Sequence, residues 1–580
     1  MASGRPRILV PEKVSPDGLA LLSNDYDIDS RPKGVSPEEL LSLIPDVDAL
    51  IVRSETKVTA EVLGAGRRLR VVARAGVGVD NIDVEAATAR GIIVVNSPAG
   101  NILAAAEHTV ALLLATARNV GRADRGTKEG KWERGKLVGV EVGRKTLGIV
   151  GLGKVGMKVA RMCIGLGMKV IAHDPYANPD LAKQTGVERL IPRLNDMLSE
   201  IDFLTIHTPL LASTLDLIGP AEFALMKPTA RVLNVARGGV YNEAALLDAL
   251  NNNVIAGAGL DVFTKEPPQE GTAAWELLRH DKVVATPHLG ASTVEAQENV
   301  AVDVCTQVGA VLRGELPTSA VNAPLILPEE YRALKPYANL VERMGGLYTQ
   351  HFASPSTVPA GIGGRHFELV YHGDLAGVSN SRPLLAALVR GLVSPFSDTG
   401  GRDVNIVNAT AVAREKGIII SEVHAHGAGA GAGGKKGSSS VYASSVTLSV
   451  HADDDENNNN NNNNNKQVIE GYVSGENVYI SRLDRFVSSF TPEGTLLVLH
   501  NFDEPGKIGH VGSVLGRHAI NIRFMQVAGL DAKQQEREEE TRKKGDEALM
   551  ILGVDGDVTN ELLEDLRKAE GILNVSLVKL

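Results

Sequence analysis

From about residue 7 to about residue 290 the chain alternates short β-rich runs with helical patterns, and few architectures accommodate that alternation. The runs include RILVP, ALIVR, LRVVAR and GIIVVN, then TLGIVG, KVIAHD, DFLTIHT, RVLNVA and KVVATP. Strands joined through amphipathic helices pair in parallel, because the crossover helix returns the chain to the same end of the sheet. The run before Gly151 is almost wholly apolar, as expected of a strand buried on both faces. Open parallel sheets bind ligands beyond the carboxyl ends of their strands, so functional side chains are sought there.

The alternation closes with a helical pattern from about Glu295 to Val311, after which LPTSAVNAP breaks the periodicity with two prolines. Residues 325 to 490 differ in texture: they hold GIGG, HGAGAGAGGKKGSSS and an acidic and asparagine-rich tract over 453–466. Such tracts cannot bury apolar surface and are expected to be disordered insertions in surface loops. Between them HFELVYHG and SSVTLSVHA alternate like half-buried strands. The last 90 residues read strand, helix, strand, charged loop (AKQQEREEETRKKGDE), strand, helix, strand, the ferredoxin-like βαββαβ order.

Composition narrows the function. A chain of 580 residues holds roughly three or four domains. The net charge of −10 offers no basic field to nucleic acid or to an anionic membrane, so neither is an expected partner. Cys163 and Cys305 are the only cysteines, too few for a disulfide framework or a metal cluster, which fits a reducing compartment. No leader-like segment precedes Ile8 and no run of about 18 apolar residues occurs. A cytoplasmic protein is expected, and a plastid or mitochondrial form with its leader removed stays compatible with the sequence.

The motif Gly151-Leu152-Gly153-Lys154-Val155-Gly156 follows the strand TLGIV and opens a helix. The first glycine permits the tight turn, the second lets backbone approach a pyrophosphate, and the third packs helix on strand. The pyrophosphate then rests on free N–H groups at the helix start. The next strand ends in Asp174, 18 residues past Gly156, where a carboxylate for the ribose hydroxyls belongs. A carboxylate there repels a 2′-phosphate, so the expected cofactor is NAD.

Oxidising a 2-hydroxy acid requires a base for the hydroxyl proton, a group to orient and support that base, and a cation for the carboxylate. Downstream of the glycine motif stand Arg237 in NVARGGV, Glu266 in DVFTKEPP and His288 in TPHLGAST, each after a β-rich run. Histidine titrates near working pH, glutamate stabilises an imidazolium, and arginine presents a planar fork to a carboxylate. Taken singly, each also reads as a surface ion pair, a solvated loop acid or a histidine at a helix start.

Taken in order, ARGG, LDVFxxEPP and TPHLGAS resemble the D-isomer-specific 2-hydroxyacid dehydrogenase family. The resemblance implies Arg237, Glu266 and His288 as the catalytic residues. It places Asp261 at the nicotinamide amide and Thr208, Val235, Ala236 and Val77 along the cofactor cleft. RSET at Arg53–Thr56, ARAGVGVDNID from Arg74 and GKWERGK around Trp132 resemble the members that take 3-phosphoglycerate. These imply substrate contacts from Arg53, Ser54, Arg74, Gly76, Arg134 and Lys136, the last two reaching a neighbouring subunit in a homo-oligomer, dimer or tetramer.

PYANLVERMGGLYTQ and RDVNIVNATAVAREKGI resemble the intervening domain of the long members, and the final 90 residues resemble an ACT domain. The implied architecture is α/β. It has a Rossmann-type dinucleotide-binding domain (100–289) and a discontinuous flavodoxin-like substrate domain (1–99 and 290–322). An α+β intervening domain (323–490) and a ferredoxin-like ACT domain (491–580) complete it. ACT resemblance implies a small amino acid, L-serine as an inhibitor, near Asn501, Asp503 and Asn521. The implied reaction is NAD-dependent oxidation of 3-phosphoglycerate, the entry to serine synthesis. The alternatives are another D-2-hydroxyacid dehydrogenase, such as a hydroxypyruvate or glyoxylate reductase, and an NAD-sensing scaffold.

Overall fold

The computed structural model describes residues 5–324, 326–353, 362–397, 400–401, 403–425, 444–451, 466–529 and 547–580. The Gly/Ala-rich tract, the asparagine tract up to 465 and the charged loop up to 546 lie outside the described residues.

The first sheet comprises Arg7–Val10, Asp27–Ser30, Ala49–Val52, Val71–Arg74 and Ile93–Asn96, all in parallel pairs. Its spatial order is second, first, third, fourth, fifth, the flavodoxin-like order. The long helix predicted near 295–311 spans Val294–Leu312. It returns to this first sheet rather than to its neighbours in sequence. Val300, Val304, Cys305 and Val308 are buried in one core with Ile8, Val71 and Val95. The lobe is therefore discontinuous in sequence.

The second sheet has seven parallel strands: Thr146–Val150, Lys169–His173, Arg189–Leu190, Phe203–Ile206, Arg231–Asn234, Gly257–Leu260 and Val283–Ala285. The chain builds outward from the first to the third, then crosses back so that Phe203–Ile206 pairs with Thr146–Val150. That reversal opens a crevice at the carboxyl ends of these two strands, where Gly151 and Thr208 follow.

A mixed six-stranded sheet follows, made of His366–Gly373, Ile419–Ala425, Ser444–His451, Lys466–Ser474, Asn477–Leu483 and Phe486–Phe490. The last sheet is antiparallel: Thr495–Phe502 lies between Glu547–Asp555 and Ile572–Lys579, with Asn521–Gly529 at the edge. Helices Lys507–Arg517 and Asn560–Arg567 complete the expected βαββαβ unit. The expected boundary at 490/491 crosses a continuous core. Leu340, Met344 and Leu347 of helix Pro328–His351 are buried in one cluster with Leu496, Val498, Leu549, Ile551 and Val578.

Candidate active site

The crevice begins with Gly151 at φ +86°, where a Cβ would lie 2.7 Å from the His207 carbonyl oxygen, so both conformation and space demand glycine. Gly156 packs directly on the Gly151 carbonyl, and Gly153 faces open space. Helix Lys154–Gly165 starts from Gly153 with no side-chain cap, leaving its first N–H groups open, and Lys154 is exposed at that end. Asp174, one residue past its strand, accepts the Leu152 and Tyr176 N–H groups, each at 2.8 Å, which holds the carboxylate beside the glycine turn. The Thr208 hydroxyl is buried with no partner. Val77, Val155, Thr208, Val235 and Ala236 line a cleft of about 430 Å³ that also contains Arg237, Asp261 and His288. An orphaned hydroxyl, an open helix start and a glycine cradle fit a dinucleotide. NAD would sit on Gly151–Gly156 with its ribose toward Asp174.

At the other end of the cleft, His288 Nδ1 lies 2.7 Å from Glu266 Oε2. A carboxylate only accepts, so Nδ1 carries the hydrogen, and in the neutral imidazole the lone pair is then on Nε2. Burial pushes the Glu266 carboxyl up, but the hydrogen bonds from His288 and the Phe263 N–H outweigh it and hold the group below its ordinary range. Glu266 is therefore charged when an imidazolium forms beside it. The His288 backbone is left-handed at φ +55°, fixed by its N–H donating to the Asp261 carbonyl at 2.9 Å.

Arg237 follows strand Arg231–Asn234 in a turn that Asn234 holds. The Asn234 amide donates to the Arg237 carbonyl at 2.8 Å and accepts the Ala236 N–H at 3.0 Å. The Arg237 guanidinium meets Asp80 Oδ2 at 3.3 Å. Arg74, at the end of its strand in the other lobe, is held below the ordinary arginine range by burial first and by the charge of Arg237 second. Its Nε is buried without a partner. Arg53 and the carboxylates of Glu12 and Asp80 also act on it. Glu12 is buried and accepts the N–H groups of Arg53, Glu55 and Thr56 at 2.9, 3.2 and 2.9 Å, which fixes the Arg53 turn. Gly76 is buried next to Arg74, while Ser54 is exposed.

Asp261 shows a role that motif reasoning missed. Its side chain is almost wholly buried. Oδ1 accepts the Thr286 hydroxyl at 2.6 Å, the Leu289 N–H at 2.7 Å and His108 Nε2 at 3.1 Å, and Oδ2 accepts the Gly290 N–H at 2.8 Å. The Thr286 hydrogen is committed to Asp261, so its oxygen accepts from His108 Nε2 at 3.0 Å, and that nitrogen must carry a hydrogen. Burial would raise the Asp261 carboxyl, yet the bonds from His108, Thr286 and Leu289 keep it low. The carboxylate thus clamps the segment that carries His288, besides lining the cleft.

Sequence reasoning also overlooked His108, Glu12 and Asp80. Glu12 sits just past a strand end and Asp80 in the loop that follows strand Val71–Arg74, positions that could have drawn notice; His108, inside helix Ile102–Ala117, carries no such signal. Arg134 and Lys136 are not brought to the cleft. They form an exposed short turn in which Lys136 pairs with Glu133 at 2.8 Å. Nor do Asn501, Asp503 and Asn521 face one way. Asn501 points into the core with its Oδ1 unpartnered, whereas Asp503 and Asn521 are exposed. Gly506 caps the following helix in a left-handed conformation, so Asp503 does not serve as its cap.

A dinucleotide crevice beside a carboxylate-backed histidine and facing arginines defines an NAD-linked dehydrogenase of 2-hydroxy acids. Residues 110–290 match the family model for the NAD binding domain of D-isomer specific 2-hydroxyacid dehydrogenases. Residues 333–462 match that for the D-3-phosphoglycerate dehydrogenase intervening domain. The chain is 40% identical to D-3-phosphoglycerate dehydrogenase 2, chloroplastic, of Arabidopsis thaliana, over 99% of this chain and 87% of that one. It is 37% identical to the D-3-phosphoglycerate dehydrogenase of Archaeoglobus fulgidus, over 99% and 100% of the two chains. The crystal structure of the TT0316 protein from Thermus thermophilus matches at TM-score 0.50 and 33% identity, over 54% of this chain and 99% of that one. The chain belongs to the D-3-phosphoglycerate dehydrogenase family and is an NAD-dependent dehydrogenase. Among the described residues no helix is long and apolar enough to cross a membrane.

Proposed function

We propose that the chain oxidises D-3-phosphoglycerate to 3-phosphohydroxypyruvate with NAD. The observation that carries this reading is that His288, backed by Glu266, lines one cleft with Arg237 and with Val155 of the glycine motif. Arg237 takes the substrate carboxylate, and the fork geometry fixes the C2 hydroxyl toward His288. His288 Nε2 accepts the hydroxyl proton, and the imidazolium so formed is stabilised by the charged Glu266 at Nδ1. Asp261 holds the segment around His288 in place during this transfer. NAD, when bound, accepts the C2 hydride. Arg74 and Arg53 supply positive charge for the phosphate end.

Initial-rate assays with D-3-phosphoglycerate, D-glycerate, NAD and NADP test the reading. D-3-phosphoglycerate with NAD is expected to give the highest kcat/KM, and equal efficiency on D-glycerate would overturn the phosphate assignment.

The same reading keeps the divisions at 99/100, 289/290, 322/323 and 490/491, supported by the four separate sheets. It takes the last unit as an ACT domain that binds L-serine at Asp503 and Asn521 and inhibits the enzyme, supported by its ferredoxin-like strand order. Asn501, buried with its amide oxygen unpartnered, completes the proposed set. The chain acts as a homo-oligomer in which Arg134 and Lys136 enter a neighbour's cleft. Trp132, 79% exposed, and Val138, 80% exposed, flank these cations and favour a covered surface. The place of action is the cytoplasm.

A further inference from the structure

Two carboxylates face the arginine cluster, and they are built differently. Glu12 is 5% exposed and spends its oxygens on three backbone N–H groups, so it cannot move without unmaking the Arg53 turn. Asp80 is the reverse. Its side chain is 73% exposed, and its partner is Arg237 Nε at 3.3 Å. It stands past the end of strand Val71–Arg74 in the first lobe, whereas Arg237 follows strand Arg231–Asn234 in the second, so the pair spans the cleft.

The neighbouring backbone is shaped to this contact. A Cβ on Gly78 would lie 2.2 Å from Arg237 Nη2 and 2.7 Å from Asp80 Oδ2, so glycine leaves the room in which the two charges meet. Asp80, Arg237, Gly78 and His288 line the same cleft. Without an added anion, Arg237 faces Arg74 and needs a counter-charge; Asp80 provides one that is weakly held because it is solvated.

We propose that Asp80 is a displaceable counter-ion for Arg237: it occupies the guanidinium in the free enzyme, and the substrate carboxylate must expel it to bind. This rests on the reading of Arg237 as the carboxylate-binding residue. A displaceable counter-ion has two consequences. It neutralises the arginine cluster while the cleft is empty, which limits mutual repulsion between Arg74 and Arg237. It also adds the same cost to every anion that binds through Arg237, so it lowers affinity without favouring one carboxylate over another. Asp80 is therefore an affinity-setting residue that leaves the chemistry at His288 untouched.

The test uses the full-length enzyme with Asp80→Asn, which keeps shape and removes charge, and Asp80→Glu, which keeps charge. Exposed ion pairs are worth up to about 1 kcal/mol, or about fivefold in affinity. In Asp80→Asn the KM for D-3-phosphoglycerate is expected to fall about two- to fivefold with kcat held within about twofold. Calorimetry with glycolate, which carries the carboxylate and hydroxyl but no phosphate, is expected to show tighter binding by a similar factor. Asp80→Glu should keep wild-type values, and it also reports whether the loop tolerates substitution. A KM that is unchanged or raised in Asp80→Asn, with glycolate affinity unimproved, would overturn the proposal and leave Asp80 a brace between the lobes. Failure of the underlying reading has a different signature: Arg237→Gln would leave the KM for D-3-phosphoglycerate and the affinity for glycolate unchanged.

Discussion

Replacing His108 with leucine tests whether the buried network beneath the active site holds the segment that carries His288. In the native protein His108 Nε2 donates to Asp261 Oδ1 at 3.1 Å and to Thr286 Oγ1 at 3.0 Å, and Asp261 in turn takes the Leu289 and Gly290 N–H groups. Leucine roughly fills the space and removes one of four donors to a buried carboxylate. A hydrogen bond to a charged group contributes about 1.5–3 kcal/mol, and the remaining three donors offset part of the loss. We therefore expect local opening of residues 286–290 to become easier by about 2 kcal/mol, which is about 30-fold. Hydrogen exchange at the Leu289 and Gly290 amides reads that opening directly, because both are bonded to Asp261. The kcat should fall about tenfold, since a base that is loosely placed spends less time in reactive geometry. Glutamine, whose amide N–H reaches a similar position, should recover part of both effects. Exchange within twofold of the native rate, together with unchanged kcat in His108→Leu, would refute the clamp.

His288→Ala should lower kcat by about 10²–10⁴ while circular dichroism stays native, because it removes only the proton acceptor. Asp174→Ser should raise the kcat/KM ratio of NADP to NAD, since the ribose acceptor and the repulsion of a 2′-phosphate vanish together. Acid should selectively loosen the core that helix Pro328–His351 shares with the last sheet. His351 and His500 face each other at 3.4 Å, and burial pushes them down to about 3 and about 4, so both are neutral in the fold. The unfolded chain binds those protons below about pH 6.5, so stability present at neutral pH declines from there toward the lowered values, by about 1.4 kcal/mol per pH unit for each group. Urea unfolding followed at pH 7 and pH 5 should show that slope, and His351→Leu should flatten it. A chain ending at residue 490 should lose the fold of 328–490 along with the last unit, as Leu496, Val498, Ile551 and Val578 close a shared core; protease digestion would show whether it does.

Local chemistry in the sequence determined a good deal. Alternating apolar runs and helical periods specify parallel βαβ units, because side-chain period and crossover length act within a few residues. The glycine turn, the acid after the next strand, and Arg237, Glu266 and His288 past strand ends were legible for the same reason: strand ends and turns are local. The returning helix Val294–Leu312 was legible as a helix, but only the structure shows which sheet receives it. Contacts between distant segments were decided by tertiary structure alone. His108 meets Asp261 across 153 positions, and Asp80 meets Arg237 across a cleft between two sheets. Nothing periodic in either segment marks such a pair. The inward turn of Asn501 and the core shared across residues 490 and 491 are of the same kind. They follow from how whole sheets pack, a condition set by the summed burial of many apolar faces and written in no single stretch of chain.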